Sequence, residues 1–96
     1  MTKVLVVDDE IPEQRHLSDI LYSSFSGSVT VQCADNGKEA VSQASLWNPD
    51  IILMDIEMPL MNGIEATKII LENNPRVRII FITAYSLFEY AREAVK

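Results

Sequence analysis

The segment Ile51–Asp55 constrains the fold more than any other part of the chain. Four consecutive apolar residues lead directly into a carboxylate, and the loop that follows contains proline and glycine. An apolar run of this length, preceded by a proline-containing turn, predicts a strand that is buried on both faces. In open α/β sheets, ligands bind at the carboxyl ends of the strands. Asp55 is therefore a candidate for a chemically active group.

Three further segments predict strands, and each is followed by a helical pattern. Residues 4–7 are all apolar, residues 29–33 alternate apolar with polar side chains, and residues 77–82 are mostly apolar again. The helices are expected to start near Pro12, Gly37, Gly63 and Tyr85. The side chains expected on the inward faces of the first three helices are Ile11, Leu17, Ile20, Leu21 and Phe25, then Ala40, Val41, Ala44 and Trp47, then Ile64, Thr67, Ile70 and Leu71.

The alternation of strands and helices predicts an α/β fold. Right-handed crossovers between successive strands give a parallel sheet with helices on both faces, which is a three-layer sandwich. In the flavodoxin-like arrangement the strand order is 2-1-3-4-5, so strands one, three and four are neighbours. The chain supplies strands for the order 2-1-3-4. We expect the fifth strand–helix unit of such a fold to be absent from residues 1–96.

Composition limits the chain to one domain and narrows the range of its partners. A single domain accounts for all of residues 1–96. The formal charge of −6 argues against binding to nucleic acid or to an anionic membrane surface. Cys33 is the single cysteine, which excludes an internal disulfide and fits a reducing compartment. No signal peptide or membrane span is recognisable, so a cytoplasmic location is expected.

Acidic or hydroxyl side chains end three of the predicted strands. Asp8 and Asp9 follow the first strand, Asp55 ends the third and Thr83 follows the fourth. Adjacent carboxylates repel unless a cation lies among them, and a site with only oxygen ligands favours Mg²⁺. An aspartate beside Mg²⁺ can form an acyl phosphate, to which the Thr83 hydroxyl would donate a hydrogen bond. Taken alone, the acids at 8–10 are equally well explained as an acidic N-cap of the first helix.

Three segments of the chain resemble the motifs of one family. Residues 4–10 (VLVVDDE), 52–63 (ILMDIEMPLMNG) and 79–84 (IIFITA) are similar in sequence, order and spacing to bacterial response-regulator receiver domains. The resemblance extends over the whole chain. It implies a CheY-like fold and a phosphoryl group accepted from a sensor histidine kinase. It also implies no enzymatic activity beyond Mg²⁺-dependent self-phosphorylation and slow autodephosphorylation.

The resemblance implies a role for each candidate site residue. By position, Asp55 is similar to the phospho-acceptor of the family. Asp9, Asp55 and the backbone carbonyl of Glu57 correspond to the direct Mg²⁺ ligands, and Asp8 would act on the ion through water. Thr83 corresponds to the switch hydroxyl that reorients toward the phosphoryl group.

The end of the chain bears on the partners. Residues 85–92 resemble receivers that are linked to AraC-type DNA-binding domains, which implies a transcriptional output domain in the parent protein. The receiver itself is expected to bind neither nucleic acid nor membrane. The family pattern continues into a fifth strand that ends in a lysine, and Lys96 precedes it, so the receiver domain is expected to be incomplete. We therefore expect self-association through the exposed fourth strand or the last helix.

Two other functions remain open. The main alternative is a phosphorylation-independent interaction module with the same fold. A partner bound equally by the wild type and by Asp55→Asn would favour that module. A phosphatase acting through a strand-end aspartate is disfavoured, since such enzymes typically carry a second aspartate two residues later. This chain has Glu57 at that position.

Overall fold

Strands and helices alternate along the chain in the computed structural model, which describes residues 1–56, 58 and 60–82. The strands are β1 (Thr2–Val7), β2 (Val29–Ala34), β3 (Ile51–Asp55) and β4 (Arg78–Ile82). The helices are α1 (Ile11–Ser24), α2 (Gly37–Trp47) and α3 (Gly63–Asn73). The predicted fourth helix lies outside the described residues, as do Glu57 and Thr83.

The described strands form a parallel sheet in the order β2-β1-β3-β4, which confirms the predicted order. Val7 is paired with Ala34 on one side and with Met54 on the other. Because these pairs lie at the carboxyl ends of their strands, β1, β2 and β3 end at the same edge of the sheet. The loops that follow the three strands are therefore neighbours, although they are far apart in sequence.

Asp50 ties the start of β3 to both neighbouring strands. Its backbone N–H donates to the Lys3 carbonyl oxygen, and its carboxylate accepts a hydrogen bond from the Lys3 backbone N–H, each at 2.8 Å. The Asp50 carbonyl oxygen accepts a hydrogen bond from the Arg78 backbone N–H at 3.1 Å. These bonds fix the register at the amino end of the sheet. The same register decides which residues meet at the carboxyl end.

The main core lies between the sheet and the helices α2 and α3. It is built on side chains of β1 and β3 that are at most 1% exposed: Leu5, Val7, Ile52 and Met54. Ala40 and Ala44 of α2 are buried against them, with Val41 and Trp47 packed at the margin. The predicted inward face of α2 is therefore confirmed.

The opposite face of the sheet is covered by α1. Successive side chains of a strand point to opposite faces, so the buried Val4 and Val6 lie on this side. Ser18 of α1 approaches Cys33 of β2, with 3.6 Å between Oγ and Sγ. The arrangement of α1, the sheet and the α2–α3 pair is the predicted three-layer sandwich.

The predicted inward faces of α1 and α3 were partly wrong. In α1, Ile11, Ile20 and Phe25 are 46–53% exposed, whereas Gln14 is buried. Gln14 occupies that position because its amide binds polar backbone atoms at the edge of the sheet.

In α3, the residues in contact with the core are Gly63, Ala66 and Ile70, which have the spacing of one helical stripe. Ile64 and Leu71 lie beside that stripe and are 49% and 37% exposed. The expectation that they point inward was therefore wrong, while Ile70 is confirmed as a core residue.

The fourth strand is less covered than the central strands. Ile80 and Phe81 of β4 are 51% and 44% exposed, and among the described residues β4 pairs with β3 alone. Self-association through this strand stays a prediction. Within the described part of the chain, no helix has the length and apolar character that a membrane span requires.

Candidate functional site

Three carboxylates meet at the carboxyl edge of the sheet. Asp8 and Asp9 follow β1 and Asp55 ends β3, and one carboxylate oxygen of each lies within 4.8 Å of the other two. Asp8 and Asp55 are buried, at 4% and 8% exposure, and Asp9 is exposed. The site therefore has two fixed acids on its inner side and one acid facing solvent.

The backbone of Asp8 is held on both sides. Its N–H donates to the carbonyl oxygen of Ala34 at 3.1 Å, and its own carbonyl oxygen accepts a hydrogen bond from the Gln14 side chain at 2.7 Å. The Asp8 carboxylate also accepts a hydrogen bond from the backbone N–H of Glu10 at 2.9 Å. These contacts leave Asp8 little freedom to turn away from the other two acids.

The environment of Asp8 raises its pKa above the ordinary aspartate value. Burial is the largest cause, because it removes water from the charged form. The hydrogen bond from Glu10 opposes the shift, and the negative charges of Asp9, Glu13 and Glu10 add to it. A cation among the three carboxylates would relieve both the repulsion and the loss of hydration.

This shift predicts that Asp8→Asn stabilises the metal-free fold at neutral pH. A carboxyl whose pKa is raised on folding contributes stability at low pH, and that stability is lost as the pH rises through the folded-state pKa. Asparagine keeps an oxygen that can accept the Glu10 hydrogen bond and has no charge to desolvate. In buffer containing a chelator, we expect a higher Tm for Asp8→Asn at pH 7.

The same measurement as a function of pH supplies the control. The advantage of Asp8→Asn should grow as the pH rises from about 4, the ordinary aspartate pKa, toward neutrality. Glu65→Gln, on exposed surface at the start of α3, should show no comparable gain. Equal melting temperatures for the wild type and Asp8→Asn at pH 7 would contradict the prediction.

Two glycines allow the loop between β3 and α3 to close around Asp55. A Cβ atom on Gly63 would overlap the Asp55 carbonyl oxygen and lie 2.9 Å from the Met54 side chain. A Cβ atom on Gly37, the first residue of α2, would overlap the carbonyl oxygen of Met61. The end of β3 is thus packed directly against the start of α3, and Met61 of the loop against the start of α2. Neither glycine position has room for a side chain.

Further contacts fix the same loop. The Gly63 N–H donates to the Ile56 carbonyl oxygen at 2.9 Å, which closes the loop at its base. The Asn62 side chain caps α3 by accepting a hydrogen bond from the Glu65 N–H at 2.9 Å. Leu60 has a φ of 71°, a left-handed conformation that costs a non-glycine residue about 1–2 kcal/mol.

The donor set fits a hard divalent cation. The residues that converge provide carboxylate oxygens and no nitrogen or sulfur ligand, and two of the three acids are buried. Such a set matches Mg²⁺, which binds proteins through one or two carboxylates and keeps several waters. Asp8, Asp9 and Asp55 are the described residues whose carboxylates could hold such an ion between them.

A comparison with known protein families decides the identity of the fold. The model of the response regulator receiver domain matches residues 4–96. The chain belongs to the response-regulator receiver family. The predicted membership of the receiver family and the predicted CheY-like, flavodoxin-like fold are thereby confirmed. The acids at 8–10 end the first receiver motif, residues 4–10, which disfavours the interpretation that they serve only as a helix cap.

Curated relatives of this receiver domain have different overall functions. A protein-glutamate methylesterase/protein-glutamine glutaminase of Idiomarina loihiensis is 47% identical over 79 residues, which are 82% of this chain and 20% of that protein. The transcriptional regulatory protein LnrK of Bacillus subtilis is 34% identical over 96 residues, which are 100% of this chain and 43% of that protein. The chain spans about a fifth of the length of the methylesterase relative.

Solved structures show the same fold. The response regulator domain of Thermotoga maritima CheB superposes with a TM-score of 0.82 at 39% identity, over 99% of this chain and 71% of that one. The response regulator TrrA of the same organism, solved in complex with Mg²⁺-BeF, has a TM-score of 0.82 at 33% identity, over 94% of this chain and 76% of that one. A second structure shows TrrA in complex with the histidine kinase ThkA, with a TM-score of 0.80 at 34% identity, over 93% of this chain and 74% of that one.

The structure brings together three of the predicted site residues of this receiver, Asp8, Asp9 and Asp55. The predictions for the Glu57 carbonyl and the Thr83 hydroxyl concern residues outside the described part of the chain. Sequence reasoning missed Gln14, which borders the acids. The signal was a polar residue within the apolar stripe that runs from Ile11 to Leu21 at helical spacing.

Proposed function

We propose that the chain is a phosphorelay receiver in which Asp55 accepts a phosphoryl group from a sensor histidine kinase. The observation that carries the proposal is the meeting of Asp8, Asp9 and Asp55 within 4.8 Å at the end of the sheet. An interaction module that works without phosphorylation has no use for three mutually repelling acids. Since like charges at this distance oppose folding, their presence favours a function that uses them.

In the proposed reaction an oxygen of the Asp55 carboxylate forms a bond to phosphorus. The bond from phosphorus to the donor histidine nitrogen breaks at the same time, and the imidazole leaves with the electron pair and takes up a proton. Mg²⁺ supplies neutralisation of the charge on the phosphoryl oxygens. Asp9 and Asp55, with the Glu57 carbonyl, would bind the ion, and Asp8 would orient a water on it.

The resulting acyl phosphate is proposed to be read by a change in the receiver. The Thr83 hydroxyl would donate a hydrogen bond to a phosphoryl oxygen, which pulls the end of β4 toward Asp55. A linked output domain then responds to the changed surface. The chain itself would have no catalytic role beyond its own phosphorylation and slow dephosphorylation, and its location would be cytoplasmic.

For the output we propose transcriptional regulation. LnrK, named as a transcriptional regulatory protein, matches all 96 residues, whereas the methylesterase of Idiomarina loihiensis matches 79. The part of the chain after residue 84 also resembles receivers of AraC-type regulators. The higher identity of the methylesterase, 47%, favours a second candidate, a receiver that controls an esterase domain. The sequence of the output domain in the parent protein would distinguish the transcriptional candidate from the esterase candidate.

The proposal is tested by phosphoryl transfer from a small donor. We expect the chain to incorporate one phosphoryl group from acetyl phosphate in the presence of Mg²⁺ and none in the presence of a chelator, as measured by intact-protein mass spectrometry. Hydroxylamine should remove the group, because it cleaves acyl phosphates and leaves phosphoserine and phosphothreonine intact. Failure to incorporate the group at saturating Mg²⁺, both by this chain and by a longer one that continues through the fifth strand, would favour the phosphorylation-independent module.

A further inference from the structure

Gln14 connects three segments that border the acidic site. The residue is 6% exposed and lies on α1, one helical turn after the acids at 8–10. Its side-chain amide nitrogen is 2.7 Å from the Asp8 carbonyl oxygen, 2.7 Å from a carboxylate oxygen of Asp35 and 3.3 Å from the Ala34 carbonyl oxygen. One amide group thus links the ends of β1 and β2 and the turn before α2.

The chemistry of the three partners fixes the orientation of this amide. Two backbone carbonyls and a carboxylate can only accept hydrogen bonds, so the NH₂ group and not the oxygen of Gln14 must face them. The NH₂ group has two protons, which match the two contacts at 2.7 Å. The longer contact to Ala34 shares one of these protons.

These bonds hold the Asp8 backbone against the repulsion within the site. The Ala34 carbonyl oxygen accepts a hydrogen bond from the Asp8 N–H, and the Gln14 amide binds the carbonyl oxygens of both Asp8 and Ala34. The N–H and the C=O group of Asp8 are therefore both connected to the end of β2. Without the amide, the Asp8–Asp9 segment can relax away from Asp55. A cation would then have to pull the carboxylates together again, and its affinity would fall.

We propose that Gln14 is a positioning residue that preorganises Asp8 and Asp9 for the cation. The proposal rests on the proposed function, because it concerns the same Mg²⁺ site. Gln14 contacts no ligand atom. It acts through the backbone of Asp8 and through Asp35, and it contributes no charge that would compete with the ion.

The test measures the affinity of the full chain for Mg²⁺ alone by isothermal titration calorimetry. We expect Gln14→Leu to raise the Kd about tenfold, the lower end of the range for residues that orient metal ligands. Gln43→Leu is the matched control. It removes a glutamine amide that also donates to a β2 carbonyl, that of Cys33 at 3.0 Å, one residue before Ala34. Its Kd should equal that of the wild type.

A second pair of variants leaves Gln14 unchanged and alters its partner Asp35. Asp35 is exposed, and Asp35→Asn removes its charge but keeps an oxygen that can accept the Gln14 hydrogen bond. Asp35→Ala removes both. We expect Asp35→Ala to bind Mg²⁺ about threefold more weakly than Asp35→Asn, which is the lower end of the effect of one hydrogen bond and a smaller loss than for the whole amide. The difference between the two isolates the hydrogen bond from the charge.

The outcomes separate this proposal from the proposed function. Absence of Mg²⁺ binding by the wild type overturns the function itself. Normal binding by the wild type together with an unchanged Kd in Gln14→Leu overturns the positioning role alone. If Gln14→Leu does not fold, as seen by circular dichroism, the Asp35 pair decides, and equal Kd values for Asp35→Ala and Asp35→Asn overturn the role.

Discussion

A chain carrying Asp55→Asn is expected to incorporate no detectable phosphoryl group from acetyl phosphate at any Mg²⁺ concentration. Asparagine has nearly the volume of aspartate, but its amide oxygen is a poor nucleophile and carries no full negative charge. The variant also removes one of the carboxylates that would bind the ion. Intact-protein mass spectrometry before and after hydroxylamine treatment measures the result.

The control for this variant is a change of the same kind elsewhere. Asp19 lies on the exposed surface of α1, and Asp19→Asn removes one negative charge without altering the acidic site. We expect normal incorporation in Asp19→Asn, which excludes a general effect of net charge. Incorporation in Asp55→Asn at the wild-type level would place the acceptor on another residue, and Asp9 would be the first to replace.

The register of the sheet explains why this chemistry is possible in so short a chain. Pairing of Val7 with Met54 places the residues that follow β1 next to the end of β3. Asp9 and Asp55 are 46 positions apart in sequence, yet their carboxylate oxygens lie only a few ångströms apart. The acids repel one another, so they do not stabilise their own arrangement. The free energy that holds them together comes from burial of the apolar side chains of the same strands, such as Leu5 and Ile52.

The features that sequence predicted are those encoded locally. Apolar runs that end in acids gave β1 and β3, and helix caps and prolines marked the helices. The flavodoxin-like arrangement of a parallel α/β sheet then supplied the order of the strands. Asp8, Asp9 and Asp55 could be placed together because a parallel α/β sheet brings the ends of neighbouring strands to one edge.

The features that sequence did not predict depend on contacts between distant segments. Helical periodicity placed Ile20 on the inner face of α1, yet it is 46% exposed, because α1 turns Gln14 toward the sheet edge to bind the ends of β1 and β2. The roles of Gly37 and Gly63 were likewise hidden. A glycine at a helix start is common, and only the path of another segment shows that no side chain fits there.

Gly63→Ala is expected to destabilise the fold and to weaken the cation site together. Helix propensity alone favours alanine over glycine by about 1 kcal/mol. Steric overlap destabilises the variant, because the new Cβ would overlap the Asp55 carbonyl oxygen. This oxygen belongs to a buried strand and cannot move freely. Overpacking of this kind costs roughly 1–3 kcal/mol, and more where backbone must shift. We therefore expect a net loss on the order of 2 kcal/mol, and a fall in Tm on the order of 10 °C.

Gly27→Ala provides the comparison that separates packing from backbone conformation. Gly27 has a φ of 78° and nothing within 4 Å of an added Cβ, so alanine there is strained by its conformation, by about 1–2 kcal/mol, and meets no neighbour. Its Mg²⁺ affinity should equal that of the wild type. Gly63→Ala should bind Mg²⁺ more weakly, because the displaced backbone belongs to Asp55. Thermal denaturation and calorimetric titration of both variants measure the two effects. A Gly63→Ala chain that melts at or above the wild-type temperature would show that β3 yields to the added methyl group, and the tight closure of the loop would then contribute nothing to positioning Asp55.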